Sequence, residues 1–252
     1  NPLEILNHLE KNLQSTGVSI SKNTRVENVQ VSDSLLKTTQ GEFSYGYLFN
    51  TAGVFADVIA KKFGIAQKYS ILPFRGSYYQ LSEKSKISIN SLIYPVPDLR
   101  VPFLGVHFMR TIDNHIYMGP SATPALGREN YKHLNGINLV EGGSIAKFIG
   151  QQYLKAPGFR RLVAQEARRM LKSNFAKDAQ KMVPQIRNED LVTCNKAGIR
   201  AQLLDLEKQE LVMDFLVEHA ERSTHILNAV SPGFTSSLRF ARYVLDEMDS
   251  NR

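Results

Sequence analysis

The segment SILPFRGSYYQLSEKSKISINSLIYPVPDLRVPFLGVHFMRTIDNHIYMGP (Ser70–Pro120) decides the fold class of this chain. It divides into short runs rich in β-branched and aromatic residues, which Pro, Gly and Asp-Asn turn signals separate. We therefore predict several short strands, with turns at 95–98 and 113–114. Arg, Tyr and His side chains are concentrated on these strands, which favours a sheet that covers a small-molecule site over a plain structural core.

Periodic patterns on both sides of this segment predict further helices and strands. The predicted helices cover residues 2–13, 54–63, 142–153, 159–182 and 235–248. The predicted strands outside the opening segment cover residues 18–20, 25–31, 35–39, 43–49, 198–201, 211–217 and 224–230.

The order of these elements predicts a mixed fold of the α/β (α+β mixed) class. A helix, an antiparallel meander and a strand–helix unit come first, and a strand, a strand pair and a helix come last. We expect residues 1–70 and 196–252 to share one α/β layer. Residues 71–195 would then form a second domain built on an antiparallel sheet.

The composition indicates an ordinary globular protein, with 42% hydrophobic and 22% charged residues in a chain of 252. Cys194 is the single cysteine, so an intrachain disulfide is excluded and a reducing compartment is expected. The apolar runs are shorter than the roughly 20 residues of a membrane-spanning helix. We therefore expect a cytoplasmic protein.

The formal net charge of +7 is concentrated between Lys155 and Lys181, where eight basic residues accompany two acidic ones. Read as one helix, this segment has its apolar side chains on a single face, namely Phe159, Leu162, Val163, Met170, Leu171 and Phe175. A basic amphipathic helix can lie peripherally on an anionic inner membrane face or pair with a partner. A solvated face over a buried stripe is the alternative. The sequence has neither the aromatic pattern nor the motifs of nucleic-acid binding, so that function is not expected.

Several motifs resemble the L-2-hydroxyglutarate dehydrogenases/oxidases, within the D-amino-acid-oxidase-like FAD-dependent oxidoreductase family. YPVPD at 94–98 and VPFLGVHFMR at 101–110 resemble that family's YPVPD and FPFLGVHFT. NTAGVFADVIA at 50–60 resembles NAAG-x-x-A-x-x-I-A, AGIRAQ at 197–202 resembles AGVRAQ, and NAVSPGFTSS at 228–237 resembles NAPSPAATSS. The resemblance implies a partial FAD-binding Rossmann-like layer beside an antiparallel-sheet substrate domain.

His107 is the residue that we predict for acid–base chemistry. Oxidation of a 2-hydroxy acid removes the hydroxyl proton, which a neutral imidazole near pH 7 can accept; a structural histidine is the alternative. The resemblance implies that Arg75, Tyr94 and Arg200 bind substrate, and a guanidinium can bind a carboxylate through two hydrogen bonds. For both arginines a salt bridge is the alternative, and Arg200 could instead hold the flavin pyrimidine edge. Arg110 ranks low, because a regular strand places it on the face opposite His107.

The resemblance also implies a set of cofactor-binding residues. Small residues let a ligand approach the backbone, and a helix start favours an anion, although a tight turn and a helix cap would select similar residues. The expected FAD contacts are Val26, Ala52, Gly53, Gly76, Pro232, Gly233, Thr235 and Ser236. Thr51 and Phe234 depart from the family pattern, which has alanine at both positions.

The implied reaction is the oxidation of L-2-hydroxyglutarate, a small 2-hydroxy acid, to 2-oxoglutarate, with hydride transfer to FAD and a quinone or oxygen as electron acceptor. The sequence contains no G-x-G-x-x-G, the motif that holds the FAD pyrophosphate in the family's first βαβ unit. We therefore expect a truncated chain, which lacks roughly the first third of the enzyme and needs a missing N-terminal segment or a second chain. The alternatives are a related flavoprotein oxidase of amino acids or glycerol 3-phosphate, and a non-catalytic module without its dinucleotide-binding loop.

Overall fold

The computed structural model describes residues 1–96, 105–132, 135–137, 139–155 and 157–250. The helices are Pro2–Ser15 (α1), Ala56–Lys62 (α2), Leu139–Lys155 (α3), Pro157–Arg169 (α4), Lys172–Gln180 (α5) and Ser237–Ser250 (α6). The strands are Val26–Gln30 (β1), Leu35–Thr38 (β2), Gly41–Ser44 (β3), Leu48–Asn50 (β4), Tyr69–Leu81 (β5), His107–Arg110 (β6), Ile116–Gly119 (β7), Thr123–Pro124 (β8), Leu191–Asp205 (β9), Glu210–Leu211 (β10), Leu216–Ala220 (β11) and Ser223–Asn228 (β12).

The largest sheet has six antiparallel strands in the order β10-β9-β5-β7-β6, with β8 paired to β5. Its centre is the long ladder between β5 and β9, which runs from the pair Tyr69–Asp205 to the pair Leu81–Leu191. The predicted domain boundaries at 70/71 and 195/196 fall inside these two strands. The predicted turn at 95–98 and the VPFLG part of the motif at 101–110 extend into residues 97–104, outside the described residues.

A bulge interrupts the β5–β9 ladder at its middle. The partner of Ser77 is Ala197, whereas the partner of Tyr79 is Thr193. Three residues of β9 therefore stand opposite Tyr78 alone, which bends the ribbon and changes the direction of its side chains. This bend lies beside a cavity that is described below.

Two smaller three-stranded sheets complete the fold. Strands β1, β2 and β3 form an antiparallel meander. Strand β12 pairs in parallel with β4 and antiparallel with β11. The parallel pair, followed after β4 by α2, is the α/β layer that the sequence predicts.

Three clusters of buried side chains hold these layers together. Because residues alternate along a strand, β5 and β9 contribute to clusters on both of their faces. The first lies under β5–β7 and α5, around Leu81, Val106, Phe108, Met118, Phe175, Ile186 and Leu191. The second joins α2 to β12 and the ribbon, around Ala56, Ala60, Tyr69, Ile71, Leu203 and Leu227. The third packs α4 on the ribbon through Leu72, Phe74, Phe159 and Leu204.

The mixed fold class is confirmed, and four local predictions are wrong. Residues 18–20 form no strand, the run 43–49 splits into β3 and β4, and the run 211–217 splits between β10 and β11. The helix expected over 159–182 breaks into α4 and α5, because Leu171 has an extended backbone with φ −79° and ψ 119°.

This break also overturns the single apolar face expected for that segment. Phe159 packs in the third cluster and Phe175 in the first, so the two helices bury side chains in different cores. Met170 and Leu171, at the break, are 71% and 63% exposed. The Leu162 side chain lies outside the described part of the chain. Among the described residues, the helices are too short or too polar to cross a bilayer.

Candidate functional site

A cavity of about 690 Å³ opens beside the bulge of the β5–β9 ribbon. Its walls come from β5, from residues 198–202 of β9, from the 53–54 turn, from residues 120–122 and from the loop 229–231. Volumes of about 300–1,000 Å³ are usual for sites that bind small molecules or cofactors. Residues from all five motifs quoted in the sequence analysis therefore border one space.

His107, at the start of β6, lines this cavity and is 8% exposed. Its Nδ1 lies 3.1 Å from the Gly105 carbonyl oxygen. A carbonyl oxygen can only accept a hydrogen bond, so Nδ1 carries the hydrogen and the neutral ring keeps a lone pair on Nε2. Burial lowers the pKa of His107, and the bond to Gly105 only partly opposes this shift. The imidazole is therefore neutral at pH 7 and can accept a proton.

Two tyrosines, Tyr78 and Tyr94, line the cavity together with His107. The Tyr94 ring stacks on the imidazole, with centroids 4.7 Å apart and planes inclined by 27°. Burial raises the pKa of Tyr78, and the neighbouring Tyr94 raises it further, so Tyr78 keeps its hydroxyl proton at neutral pH. The bulge supports Tyr78, because the Cys194 thiol donates to its carbonyl oxygen at 3.1 Å and Lys196 Nζ lies 5.6 Å from its ring centre.

Arg200 supplies a positive charge in the cavity lining. It pairs with Phe74 across the ribbon, so it shares a face with Phe74 and Gly76. Burial lowers the pKa of Arg200, but a guanidinium stays charged in proteins. Gln202, on the same face, is held by a 2.9 Å hydrogen bond from its Nε2 to the Val212 carbonyl.

Arg75 is placed differently from the other proposed substrate ligands. It follows Phe74 on β5 and therefore points to the opposite face, and it is absent from the described cavity lining. Its backbone carbonyl accepts a hydrogen bond from Thr123 Oγ1 at 3.2 Å. Within the described residues its buried Nε has no hydrogen-bond partner.

The three glycines among the expected FAD contacts line the cavity, and their surroundings differ. Gly53 has φ +55°, a backbone conformation that other residues rarely adopt. Gly76 packs closely against Pro120, since a Cβ on Gly76 would lie 2.7 Å from Pro120 Cβ. A Cβ on Gly233 would lie 3.1 Å from the Val230 carbonyl oxygen.

The remaining proposed cofactor contacts lie outside the described lining. Val26 belongs to β1 in the separate meander, and Ala52 precedes Gly53, with its N–H bound to Asn50 Oδ1 at 3.2 Å. Pro232 and Thr235 are exposed, and Ser236 donates its hydroxyl hydrogen to the Pro232 carbonyl. From this loop, residues 229–231 and Gly233 reach the cavity instead.

Glu166 of α4 is a cavity residue that the sequence interpretation missed. It is 3% exposed, lines the cavity, and accepts a hydrogen bond from the Ala122 N–H at 2.6 Å. It forms an ion pair with Arg169, whose Nε lies 2.7 Å from Asp178 on α5. The spacing of Glu166 and Arg169 on a helix is the signal that could have indicated this pair.

Arg128 is a second missed residue, and it fixes the turn that carries Gly53. Its guanidinium binds both carboxylate oxygens of Asp57 in α2, at 2.5 and 3.1 Å. It also contacts Glu141 and the Val54 carbonyl oxygen. Val54 lines the cavity. The contacts of Arg128 therefore connect the part of the wall that contains Val54 to residue 128, which lies far from Val54 in sequence.

Comparison with known proteins identifies the family. The family model described as FAD dependent oxidoreductase, DAO, matches residues 1–247. The chain belongs to the DAO family.

Two curated relatives of this DAO-family chain are named L-2-hydroxyglutarate dehydrogenase. It is 35% identical to the L-2-hydroxyglutarate dehydrogenase of Indibacter alkaliphilus, over 81% of this chain and 51% of that protein. It is 30% identical to the enzyme of the same name from Escherichia coli K12, over 96% and 57% respectively. The chain thus spans about half the length of these relatives.

A solved structure supports the fold of this DAO-family chain. The FAD-bound, reduced L-α-glycerophosphate oxidase of Mycoplasma pneumoniae aligns with a TM-score of 0.57 at 19% identity, covering 91% of this chain and 51% of that one. At this identity the match supports the shared fold, with its FAD-type layer and antiparallel sheet, and not a shared substrate.

The cavity lining fits FAD, the cofactor of the DAO family. A Cβ at Gly198 would meet no atom within 4 Å, so the backbone of β9 is open on that side. Gly53 and Gly198, where an added Cβ would meet no atom within 4 Å, expose main chain in the wall, and a flat ring can approach main chain where Cβ atoms are absent. These residues would contact FAD, and His107 and Arg200 would remain for substrate.

Proposed function

We propose that this chain forms the substrate wall and part of the FAD wall in the active site of an enzyme that oxidises L-2-hydroxyglutarate to 2-oxoglutarate. The observation that carries this proposal is the meeting of a neutral His107 and a charged Arg200 in one cavity. The names of the relatives support L-2-hydroxyglutarate as the substrate.

Each lining residue has a separate role in this proposal. Arg200 binds the carboxylate beside the hydroxyl-bearing carbon, where paired N–H donors give strong, directional hydrogen bonds. Tyr78 and Tyr94 donate hydrogen bonds from their hydroxyl groups to substrate oxygens. His107 accepts the hydroxyl proton at Nε2 and so acts as the general base. FAD, when bound, supplies the acceptor for the hydride from the α-carbon.

The chain's remaining partners belong to the same proposal. A further part of the protein, or a second chain, would hold the FAD pyrophosphate, because the sequence has no G-x-G-x-x-G loop. Residues 1–70 and 196–252 would form the FAD-side domain, and 71–195 the substrate domain. A quinone or oxygen would reoxidise the flavin. The basic surface of α4 and α5 would support peripheral contact with an anionic membrane face.

Turnover by the FAD-loaded protein, produced as its gene encodes it, tests this function. Formation of 2-oxoglutarate is measured from L-2-hydroxyglutarate, with a quinone analogue under nitrogen and separately with oxygen. D-2-hydroxyglutarate, glycerol 3-phosphate and L-amino acids serve as comparison substrates. Preferential turnover of glycerol 3-phosphate or an amino acid would refute the proposed substrate, and a protein that binds no FAD would refute the function.

Two variants test the roles of the lining residues. Replacing His107 by Gln should lower kcat by about 10²- to 10⁴-fold, the usual contribution of general acid–base catalysis. Arg200→Lys should raise KM about tenfold or more, since a lysine gives a single charge without the paired donors. Arg110→Gln is the matched control, because Arg110 is exposed and hydrogen-bonded to Asn90 and Asn114. Turnover that both lining variants leave unchanged would contradict these assignments.

A further inference from the structure

His225 of β12 is completely buried in a polar network behind the cavity wall. Its Nδ1 lies 3.0 Å from Asn50 Nδ2, and its Nε2 lies 2.9 Å from Ser223 Oγ. Phe63, at the end of α2, packs edge-on against the imidazole with ring centres 4.7 Å apart. The ring is thus held by hydrogen bonds at both nitrogens and by an aromatic contact.

The hydrogen bonds of Asn50 fix the proton on this imidazole. The Ala52 N–H donates to Asn50 Oδ1 at 3.2 Å, and Asn50 Nδ2 donates to the Ala56 carbonyl at 2.8 Å. These contacts define which end of the amide is nitrogen. The His225 Nδ1 must therefore accept from Asn50, and Nε2 carries the hydrogen. Only the neutral ring with this tautomer satisfies both neighbours.

Asn50 in turn closes the turn that reaches the cavity. Its side chain binds the N–H of Ala52 at one end of the turn and the carbonyl of Ala56 at the other. Gly53 and Val54 lie between these two anchors and line the cavity. A continuous chain of hydrogen bonds thus leads from Ser223, through His225 and Asn50, to the cavity wall.

We propose that His225 is a positioning residue, which holds Asn50 in the orientation that shapes the 52–56 turn for its cofactor. This proposal rests on the proposed function only in naming FAD as the ligand. The effect of His225 on the geometry of the 52–56 turn does not depend on which ligand binds there. Loss of the acceptor at Nδ1 frees one hydrogen of the Asn50 amide, and the turn then samples other conformations. The expected consequence is weaker binding of FAD, with substrate recognition by Arg200 retained.

Amide hydrogen exchange on this chain tests the positioning directly. His225→Leu removes both ring hydrogen bonds and replaces the imidazole with an apolar side chain of similar size. His225→Gln offers an acceptor to Asn50 and a donor to Ser223. We expect exchange of the Ala52 and Phe55 amides to be about tenfold faster in the Leu variant, and within about twofold of the native rate in the Gln variant.

A second substitution and a control separate this local effect from general loss of stability. Ser223→Ala keeps the imidazole and removes only its outer partner, so it should raise the same exchange rates by less than the Leu variant does. Ile186→Val, buried in the first core cluster, lowers stability without touching the turn. Equal acceleration at Ala52 in the Leu and Gln variants, or in Ile186→Val, would overturn the proposal.

FAD titration of the full protein supplies the functional measurement. The dissociation constant should rise about tenfold in His225→Leu and recover in His225→Gln, while KM for the hydroxy acid stays within about twofold. An unchanged dissociation constant with accelerated exchange would overturn the link to the cofactor. Failure of the native protein to bind FAD would refute the proposed function alone, since the exchange rates still test the role of His225 in the turn.

Discussion

Removal of the buried cation Arg128 should destabilise the protein far more than removal of an exposed one. The Arg128 side chain is 9% exposed and its partner Asp57 is 1% exposed. In Arg128→Met, the Asp57 carboxylate would stay buried with the Ile71 N–H as a remaining donor, 3.1 Å away. An uncompensated buried charge of this kind costs about 3–5 kcal/mol of unfolding free energy.

Urea unfolding followed by far-UV circular dichroism measures this loss. Arg187→Met is the matched control, because Arg187 and Glu189 are 77% and 76% exposed and lie 3.7 Å apart, and such pairs contribute little. Arg128→Met combined with Asp57→Asn should recover part of the loss, since the buried charge is then removed as well. A loss below about 1 kcal/mol for Arg128→Met, with an unchanged slope against urea, would refute the reasoning.

Three further outcomes are expected. Burial, and to a lesser extent the nearby His219, lowers the pKa of His225 from 6.5 to about 4 on folding, so the contribution of His225 to stability is fully present above pH 6.5 and declines by about 3 kcal/mol as the pH falls to 4. Urea titrations in which His225→Gln keeps the same pH dependence would contradict this. Because burial lowers the pKa of His107, kcat/KM should rise with pH to a plateau reached below the range of an exposed histidine, and His107→Gln should lose this acidic limb in a pH-rate profile. In Gly119→Ala the new Cβ would lie 2.7 Å from Tyr78 Cδ1 at φ +152°, so Tm should drop by several degrees, whereas Gly143→Ala, with open space around it, should leave Tm unchanged or raise it.

Local sequence patterns were sufficient for most helices and strands. The first helix, predicted over residues 2–13, covers Pro2–Ser15. Its regularly spaced apolar residues stop before Gly17, which adopts φ +89° and ends the helical segment. Strand β9 was underestimated at 198–201, because the bulge opposite Tyr78 interrupts the alternation that marks a strand. The helix over 159–182 was wrong for a tertiary reason, as its two halves face different cores.

The candidate site depended on contacts that no local pattern encodes. Motifs placed His107, Arg200 and Gly53 in the site, whereas strand alternation alone would have set Arg75 apart from Phe74. The supporting pairs join residues far apart in sequence, with 175 positions between Asn50 and His225 and 71 between Asp57 and Arg128. A polar residue that is buried by such a distant partner cannot be distinguished, in a single sequence, from one in solvent.

The β5–β9 ribbon, which is paired on both sides of its bulge, also determines how the molecule can move. One end of the ladder, at Ile71 and Leu203, is anchored in the cluster beneath α2, and the other, at Leu81 and Leu191, in the cluster around Phe108. Movement of one core away from the other would require the paired strands to separate. A hinge needs residues that can change φ and ψ freely, and the ladder hydrogen bonds restrict these angles in β5 and β9. Movement of small molecules into and out of the cavity should therefore depend on displacements of the loops around it, while the distance between the two cores stays constant.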